Sequence, residues 1–415
     1  MLTIQQAHDA INAHVDPFAA ENVSLPSALG FTLAADITTP HDSPPFAKSM
    51  MDGFGLSYAS YMSGQRSFRV SQLIAAGTIG SPVSEADEAV RIMTGASIPA
   101  GVDMVIPIEQ SNHDPSTNVV TFTDLEVRPN LNVILQASNK QAGQPLLRAG
   151  TKLRAQHIGA LAEYGIANVP VRRRPMVAIR ATGNELVPYD FPLVPGVEYP
   201  FGAGLIRNSN EPMLAAQITQ AGGEPIPLGI APDDPDTLAD YLVTGLESDI
   251  FLLTGGVSAG DFDLVPPTLK ALGVTEVFHK IQLKPGKPLW FGVYNGPNNG
   301  NTCYVFGLPG NPVSSLVCFE LFVRPTIEKL MGLSGFPLPM ITATLKSDAS
   351  HHGDRPTCHP ASLEWTATGP EVQTVPWKGS SDLSATIAAN CTIAFPAGSA
   401  HYPAGSQMQV HAWLS

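Results

Sequence analysis

Three short loops carry residue types that suit the binding of an anionic ligand. The first, residues 254–263, follows a predicted buried strand and contains Gly255 and Gly256. Glycines at such a turn let backbone N–H groups approach an anion closely, and the Ser258 hydroxyl would add a donor. Asp263 could hold a cation or orient a polar group of a ligand. Taken alone, the loop is equally consistent with a tight turn and a capping serine.

A second loop, residues 283–288, presents Lys284 and Lys287 on either side of Gly286. Its two prolines restrict the backbone, so ordering the two ammonium groups costs little conformational entropy. The chain is acidic and has only 23 lysines and arginines. A rigid lysine pair in such a chain predicts an anion clamp, although alone it would be a solvated surface turn.

The third loop joins a predicted buried strand to a helix and contains Pro309 and Gly310. Asn311 stands where a helix cap belongs, Pro312 occupies the first helical position, and Ser314 follows in the first turn. The N-terminus of this helix would face the strand ends and could receive a phosphate. A plain capped helix is the alternative, but three such loops on one sheet edge favour a ligand site.

Four polar residues elsewhere complete the candidate chemistry. Thr182 and Glu185 lie in the turn that follows another predicted strand, where a carboxylate can ligate Mg²⁺ or assist a proton transfer. Asp52 and Thr94 lie in two turns of an earlier β-rich region. In isolation these two turns predict only local structure.

Alternating strands and helices position these loops. The predicted strands are residues 176–179, 225–230, 249–253, 275–281, 289–294 and 302–306, and the helices begin at Asn210, Asp234, Leu264 and Pro312. Asn210 is predicted to cap its helix, and the last helix is predicted to run to Met331. This alternation is typical of a doubly wound parallel α/β sheet, in which ligands bind beyond the carboxyl ends of the strands.

The flanking regions predict other folds. Residues 3–14 form a predicted helix with a Thr3–Gln6 capping box, and residues 150–171 return to a helical pattern. Short β-like runs between residues 50 and 130 predict a small β-rich domain, and alternating runs after Met331 predict a terminal all-β domain.

Composition limits the classes of partner. The chain has 415 residues, 44% of them hydrophobic, and a net charge of −13. Several domains with real cores are therefore expected, and nucleic acid is a poor partner because phosphate backbones are repelled. Four scattered cysteines, no signal peptide at the start and no bilayer-length apolar run predict a cytoplasmic protein with reduced thiols and no membrane partner.

Five strings in fixed order carry a family resemblance. They are SMMDGF at 49–54, RIMTGA at 91–96, GGVS at 255–258, KPGKP at 284–288 and GLPGNPVS at 307–314. The chain resembles, from Ile4 to its C-terminus, the molybdopterin molybdenumtransferases of the MoeA type, which include the E domain of gephyrin.

The resemblance implies four domains and a dimer. An elongated helical linker domain is expected from residues 1–40 with 141–173, an inserted β-rich domain from 41–140, a molybdopterin-binding α/β domain from 174–332 and a C-terminal β-barrel-like domain from 333–415. Members are homodimers with the active cleft between the α/β domain of one subunit and the inserted domain of the other. Asp52 and Thr94 would thus approach the sheet loops of the partner subunit.

The implied reaction inserts molybdate into adenylylated molybdopterin with Mg²⁺, cleaving the phosphoanhydride and releasing AMP. Asp52, Glu185 and Asp263 become the candidates for catalysis and for metal binding. The expected cofactor-binding residues are Thr94, Thr182, Gly255, Gly256, Ser258, Lys284, Gly286, Lys287, Pro309, Gly310, Asn311 and Ser314.

Several positions depart from the family pattern. Residues 47–49 stand where the family usually has Asp-Asn-Ser, and residues 134–139 stand where it has an arginine-rich run ending in Gly-Glu-Asp. Asn184 and Asn208 replace two aspartates, and Asp354 and His359 replace two arginines. Metal affinity should fall, because an amide is a poorer Mg²⁺ ligand than a carboxylate. Oxyanion contacts should weaken, because the bidentate contacts of the missing arginines are lost. Two alternatives to an active enzyme therefore stay open: a paralogue that binds molybdopterin as a carrier or regulator, and a dimeric scaffold protein.

Overall fold

The chain folds into two units that are each described separately. The computed structural model describes residues 1–191, 204–257, 264–296, 302–336 and 338–413. The larger unit comprises Met1–Ala35, Ala149–Ile158 and Asn168–Ser415, and the smaller unit comprises Asp36–Arg148 and Gly159–Ala167.

A six-stranded sheet organises the larger unit. Its strands are β1 (Met176–Thr182), β2 (Glu224–Ala231), β3 (Ile250–Thr254), β4 (Thr275–His279), β5 (Trp290–Asn295) and β6 (Thr302–Leu308). They lie in the order β2-β1-β3-β6-β5-β4. The first four in this order are parallel, whereas β5 runs antiparallel to both of its neighbours, β6 and β4. The six predicted strands are confirmed, but the sheet is mixed, because too few residues separate β4, β5 and β6 for crossover helices.

Helices cover both faces of this sheet. They are α1 (Asn210–Ala221), α2 (Leu238–Val243), α3 (Val265–Ala271), α4 (Pro312–Cys318) and α5 (Arg324–Leu330), with a π-helix at Phe319–Val323 and a 3₁₀ turn at Thr244–Glu247. On β1, Val177 and Ile179 join the core with α1 and α4, while Ala178 joins the opposite core with α2 and α3. This alternation buries both faces of the sheet, as a doubly wound fold requires.

Two helix predictions need correction. The helix predicted from Pro312 to Met331 is interrupted by its π-helical turn, and Asn210 is the first residue of α1 rather than its cap. The amide N–H of Glu211 is instead accepted by Asn208 Oδ1 at 3.3 Å. The Asn210 side chain is therefore not used to cap α1.

The N-terminal helix, Ile4–Asn12, packs Ala7 and Ile11 into the core that also contains residues of α1. Its predicted capping box is confirmed: the Gln6 N–H donates to Thr3 Oγ1 at 3.2 Å, and the Thr3 N–H donates to Gln6 Oε1 at 2.9 Å.

Substituting Thr3→Ala is expected to raise the rate of amide hydrogen exchange in residues 1–15 about fivefold, since losing a cap costs about 1 kcal/mol. Hydrogen-exchange mass spectrometry measures this directly. The matched control is Ser24→Ala, because Ser24 precedes the 3₁₀ turn Leu25–Ser27 without making a side-chain cap bond. Equal exchange in the Thr3 variant and the wild type would contradict the role of the cap.

The segments flanking the insertion are less helical than predicted. The helix there spans only Ala155–Glu163, and Asn168–Arg172 is a strand between Ala20–Ser24 and Thr32–Leu33. The prediction of a helical pattern through residue 171 is therefore wrong at its end. Val169 and Val171 are buried in alternation, which is the period of a strand.

A closed barrel ends the chain. Its five strands are Ile341–Leu345, Gly369–Thr374, Thr357–Thr366, Cys391–Phe395 and Gln407–Ala412, in that order around the barrel. Ala349–Gly353 pairs with Gly398–Tyr402 beside it, and a 3₁₀ helix occupies Leu383–Ala388. All four cysteines of the chain are buried and free, as predicted.

The smaller unit is built on a second six-stranded sheet. In sheet order its strands are Met104–Pro107, Gly53–Leu56, Glu88–Ile92, Ser67–Ile74, Val119–Thr121 and Asn112–Asp114. A helix at Tyr58–Met62 and a 3₁₀ turn at Ile108–Gln110 accompany it. Two short pairs close the unit: Val133–Ile134 with Lys48–Ser49, and Pro145–Leu147 with Ile37–Thr38. Across the described parts of both units, no helix is long and apolar enough to span a membrane.

Candidate functional site

The loops after β1, β3 and β6 meet around a cavity of about 390 Å³, called here the first cavity. Seven predicted site residues line it: Thr182, Glu185, Gly255, Gly256, Pro309, Gly310 and Asn311. Six further residues line it. Thr254, Val257 and Pro288 belong to loops that the sequence singled out, whereas Leu186, Ile206 and Asn210 were not predicted at the site. The short parallel pair Leu186–Val187 and Ile206–Arg207 supplies two of them.

Paired glycines bring the ends of β1 and β3 together. Gly255 has a φ of +90°, and a Cβ atom there would lie 2.4 Å from the carbonyl oxygen of Thr182. Gly256 has a φ of +62°, and a Cβ atom there would lie 2.7 Å from Val265 Cγ2. Only glycine fits these close approaches, so the predicted role of the pair as a tight turn has a steric cause.

Two nearly buried side chains of the first cavity each keep one polar atom without a hydrogen-bond partner in the described part of the chain. Thr182 is 3% exposed and its Oγ1 is unpartnered; Asn210 is 8% exposed and its Oδ1 is unpartnered. The Asn210 Nδ2 group donates to the Gly310 carbonyl oxygen at 2.8 Å. Asn210 therefore ties the start of α1 to the loop after β6 and belongs to the site.

A second cavity, of about 280 Å³, shares Pro288, Pro309 and Asn311 with the first. Besides Pro309 and Asn311, four predicted residues line it: Lys284, Gly286, Lys287 and Ser314. The barrel domain adds Arg355, Trp377 and Ser380, which the sequence did not predict. The Trp377 Nε1 atom is buried and has no hydrogen-bond partner within the described residues.

Hydrogen bonds fix the lysine loop and α4 to the barrel. The Lys284 N–H donates to the Pro356 carbonyl at 2.9 Å, and the Cys358 N–H donates to the Lys284 carbonyl at 2.8 Å. Asn311 Nδ2 donates to Ser380 Oγ at 3.0 Å. The second cavity is thus held by backbone bonds on one side and by a side-chain amide on the other.

Positive charge prevails in the second cavity, where Lys284, Lys287 and Arg355 converge. Asp354 is a counter-charge to Arg355: a hydrogen bond from Arg355 Nε at 3.2 Å lowers the pKa of the Asp354 carboxyl group. The sequence predicted that arginines were lost from the last domain at Asp354 and His359. The structure nevertheless places another arginine, Arg355, at this cavity.

The thiols below the lysine loop are unreactive. A Cβ atom at Gly286 would lie 2.5 Å from Cys318 Sγ, so the loop packs directly on this sulfur atom. Burial raises the pKa of Cys318 and raises that of Cys358 to about 12. Neither thiol supplies a nucleophile at neutral pH.

Asp52 and Thr94 contact each other within the smaller unit. Asp52 Oδ1 accepts hydrogen bonds from the backbone N–H and the hydroxyl of Thr94, each at 2.7 Å. These bonds lower the pKa of the exposed Asp52 carboxyl group. An ionised carboxylate therefore stands in this turn at neutral pH. Its approach to a partner subunit stays a prediction.

Metal binding has limited support in the residues that the structure describes. Ser258 and Asp263 lie outside these residues, and Glu185 is the one predicted metal ligand that lines the first cavity. Within the described ranges, no group of three or more His, Cys, Asp or Glu side chains could hold a metal ion. Asn184, where an aspartate was expected, accepts the Asp233 N–H at 3.2 Å and holds a turn.

A doubly wound α/β domain whose strand ends open into a cavity with one carboxylate, beside a cationic cavity, is typical of a protein that binds an oxyanion-bearing ligand. Family models match three parts of the chain: "MoeA N-terminal region (domain I and II)" at residues 2–165, "Probable molybdopterin binding domain" at 178–329 and "MoeA C-terminal region (domain IV)" at 342–413. The chain belongs to the MoeA family of molybdopterin molybdenumtransferases.

Individual proteins agree with this assignment. The chain is 33% identical over 396 residues to a molybdopterin molybdenumtransferase of Staphylococcus epidermidis, covering 94% of this chain and 90% of the relative. It is 33% identical over 415 residues to the corresponding protein of Staphylococcus aureus, covering 99% and 95%. The structure resembles a molybdopterin biosynthesis MoeA protein from Pyrococcus horikosii with a TM-score of 0.83, at 27% identity and full coverage of both chains.

Proposed function

We propose that this protein inserts molybdenum from molybdate into adenylylated molybdopterin and releases AMP. The observation that carries the proposal is the second cavity, where Lys284, Lys287 and Arg355 surround a space that adjoins the first cavity. A ligand with an oxyanion at one end fits such a pair of cavities. Family membership, with relatives named molybdopterin molybdenumtransferase, supports a molybdopterin ligand and a molybdenum transfer.

The cationic side chains would act by positioning and charge neutralisation. Cleaving a phosphoanhydride develops negative charge on phosphate oxygens, and pre-organised cations stabilise that charge more than they stabilise the bound substrate. Trp377 also lines this cavity, beside the three cationic donors. Molybdate, a tetrahedral oxyanion, would bind to the same donors.

Mg²⁺ is part of this proposal as a charge-neutralising ion. Glu185 would supply one carboxylate, and substrate phosphates would supply further oxygens, which is how proteins commonly bind Mg²⁺. Space for the Glu185 carboxylate comes from Gly183, where a Cβ atom would lie 2.6 Å from Glu185 Oε2. Asp52 and Asp263 are proposed as the further metal and catalytic residues.

The proposal also includes a homodimer in the cytoplasm. Asp52 and Thr94 form an ionised, hydrogen-bonded pair on the smaller unit. A cleft between subunits would bring that pair close to a substrate bound by the partner subunit. Four free, buried cysteines suit a reducing compartment. The domain boundaries inferred from the sequence, near residues 40, 140, 173 and 332, are proposed on the same basis.

One observation favours a second candidate, a carrier that binds molybdopterin without turning it over. Within the described ranges the carboxylates do not cluster at the cavities, and Asn184 and Asn208 stand where the family usually has aspartates. A carrier would bind the adenylylated ligand and keep it intact. Measuring AMP release separates the two candidates.

Incubating the purified protein with adenylylated molybdopterin, molybdate and MgCl₂ is expected to release about one AMP per ligand. Removing Mg²⁺ with EDTA should slow the release at least about tenfold, because a bound divalent cation stabilises developing charge by several kcal/mol. Added MgCl₂ in excess of the chelator is the control and should restore the rate.

Two results would decide against the enzyme. Retention of intact ligand without AMP release would leave the carrier as the function. If the protein bound neither molybdate nor adenylylated molybdopterin, both candidates would be overturned.

A further inference from the structure

The start of α4 is capped by a residue of the barrel domain. Pro312 has no N–H, so the first N–H group that the helix must satisfy belongs to Val313. The Val313 N–H donates to the Ser380 carbonyl at 3.0 Å. The Asn311 side chain makes no cap bond and donates instead to Ser380 Oγ at 3.0 Å. This helix start is therefore satisfied by protein, and Ser380 is fixed at the second cavity, which it lines.

Ser380 belongs to a segment without regular secondary structure, residues 376–382, here called the capping segment. The segment lies between the barrel strand Gly369–Thr374 and the 3₁₀ helix Leu383–Ala388. Neither a strand ladder nor a helix holds it, so other hydrogen bonds must fix the course of its backbone.

Asp382 holds the capping segment through both oxygen atoms of its carboxylate. Oδ2 accepts the Lys378 N–H at 3.2 Å, and this bond reaches back into the segment. Oδ1 accepts the Ser384 hydroxyl at 2.9 Å and the Ala385 N–H at 3.3 Å, which caps the 3₁₀ helix. The bond from Ser384 and then the bond from Lys378 lower the pKa of Asp382. The carboxylate is therefore ionised at neutral pH, and its hydrogen bonds are charge-assisted.

The bond to Lys378 links Asp382 to the second cavity. Trp377 and Ser380 line this cavity, and two residues separate them in the chain. Because Lys378 is one of these two, its bond to Asp382 fixes the backbone between the two lining residues. Asp382 itself is not among the residues that line either cavity, so it can act on a ligand only through its neighbours.

We infer that Asp382 is a positioning residue for the oxyanion site: by fixing the capping segment, it holds Ser380 at the start of α4 and Trp377 at the wall of the second cavity. This inference rests on the proposed function and adds a residue, outside both cavities, on which ligand binding depends. Loss of the carboxylate would release the barrel side of the cavity. Lys284 would stay in place, because its backbone is bonded independently to Pro356 and Cys358.

The test compares Asp382→Ala with the wild type in three measurements on the full chain. Calorimetry gives the affinity for molybdate, which is expected to fall about tenfold because a charge-assisted hydrogen bond that orders the site is lost. AMP release at saturating molybdate should stay within about twofold, so that KM rises while kcat does not. In hydrogen-exchange mass spectrometry, the Val313 N–H should exchange at least about fivefold faster, because Ser380 no longer holds it.

Asp382→Ser separates the positioning role from the helix cap and keeps the test decisive if Asp382→Ala folds poorly. Serine is a good cap and can still accept the Ala385 N–H, but its single oxygen atom cannot also accept the Lys378 N–H. This variant should keep the stability of the wild type against urea and bind molybdate as weakly as Asp382→Ala. The matched control is Asp348→Ala, since Asp348 Oδ1 accepts the Ala404 N–H at 2.8 Å in another barrel turn and lines neither cavity.

The outcomes distinguish this inference from the proposed function. A molybdate affinity of Asp382→Ala within about twofold of the Asp348→Ala control would overturn the inference alone. Unchanged exchange of the Val313 N–H would also overturn it, because Ser380 would then keep its place without Asp382. Full molybdate affinity in Asp382→Ser would reduce Asp382 to a helix cap and reject the positioning role. Wild-type protein that binds no molybdate would overturn the proposed function, and this inference with it.

Discussion

Replacing both Lys284 and Lys287 with methionine is expected to lower molybdate affinity and the rate of AMP release by about 10²- to 10⁴-fold. Each charged hydrogen bond contributes about 1.5–3 kcal/mol, and a factor of ten corresponds to about 1.4 kcal/mol. Methionine keeps the length and apolar stem of lysine, so packing on the loop is largely preserved. Calorimetry with molybdate and a single-turnover AMP assay measure the two effects.

The matched control for this variant is Lys270→Met. Lys270 is an exposed lysine in the last turn of α3 and is not among the residues that line either cavity. The control should bind molybdate like the wild type, because it changes the net charge without touching the second cavity. If the double variant kept its molybdate affinity within threefold of this control, the second cavity would not be the oxyanion site.

Gly255→Ala is expected to destabilise the larger unit by about 3 kcal/mol and to abolish the first cavity as a binding site. Alanine is strained at the φ of +90° found there, and its Cβ atom would lie 2.4 Å from the Thr182 carbonyl oxygen. The ends of β1 and β3 must therefore separate. Urea denaturation followed by tryptophan fluorescence measures the loss of stability.

Gly310→Ala supplies the comparison for this steric argument. Gly310 lines the same cavity, yet a Cβ atom there would meet nothing closer than Gly255 Cα at 3.6 Å, which is an ordinary contact. Its free energy of unfolding should change by less than about 0.5 kcal/mol. Similar stability of the two alanine variants would refute the claim that close strand packing requires Gly255.

The sequence predicted the first cavity well because strand ends follow a general rule. Parallel strands place their carboxyl ends on one edge of the sheet, so three loops with glycine, proline and asparagine had to meet there. The lysine loop was predicted on local grounds as well. The structure brings these loops together as two adjoining cavities, which no single motif indicated.

Residues missed by the sequence analysis owe their place to tertiary contacts. Asn210 has the spacing of a helix cap, and only its bond to Gly310, 100 positions away, gives it a place at the site. Arg355 belongs to the barrel domain and reaches the lysine loop because the barrel strand Thr357–Thr366 begins beside Lys284. Short-range patterns carry no information about such contacts.

The acidic residues were the least predictable part of the site. Glu185 lies at the first cavity, whereas Asp52 belongs to the other unit and Asp263 lies outside the described residues. A carboxylate in a turn has many structural uses, such as the bonds that Asp52 accepts from Thr94. Residue type alone therefore could not assign these side chains to one metal ion.

The three-stranded sheet formed by Ala20–Ser24, Asn168–Arg172 and Thr32–Leu33 has a consequence for how the chain folds. Ser24 pairs with Asn168 across roughly 140 residues of intervening chain, and closing so long a loop is entropically unfavourable by about 2 kcal/mol more than closing one of about ten residues. The pair Ile37–Thr38 with Pro145–Leu147 closes most of that loop first. During synthesis, we expect the inserted unit to fold before the larger one is complete, which would shorten the loop that Ser24 and Asn168 must close.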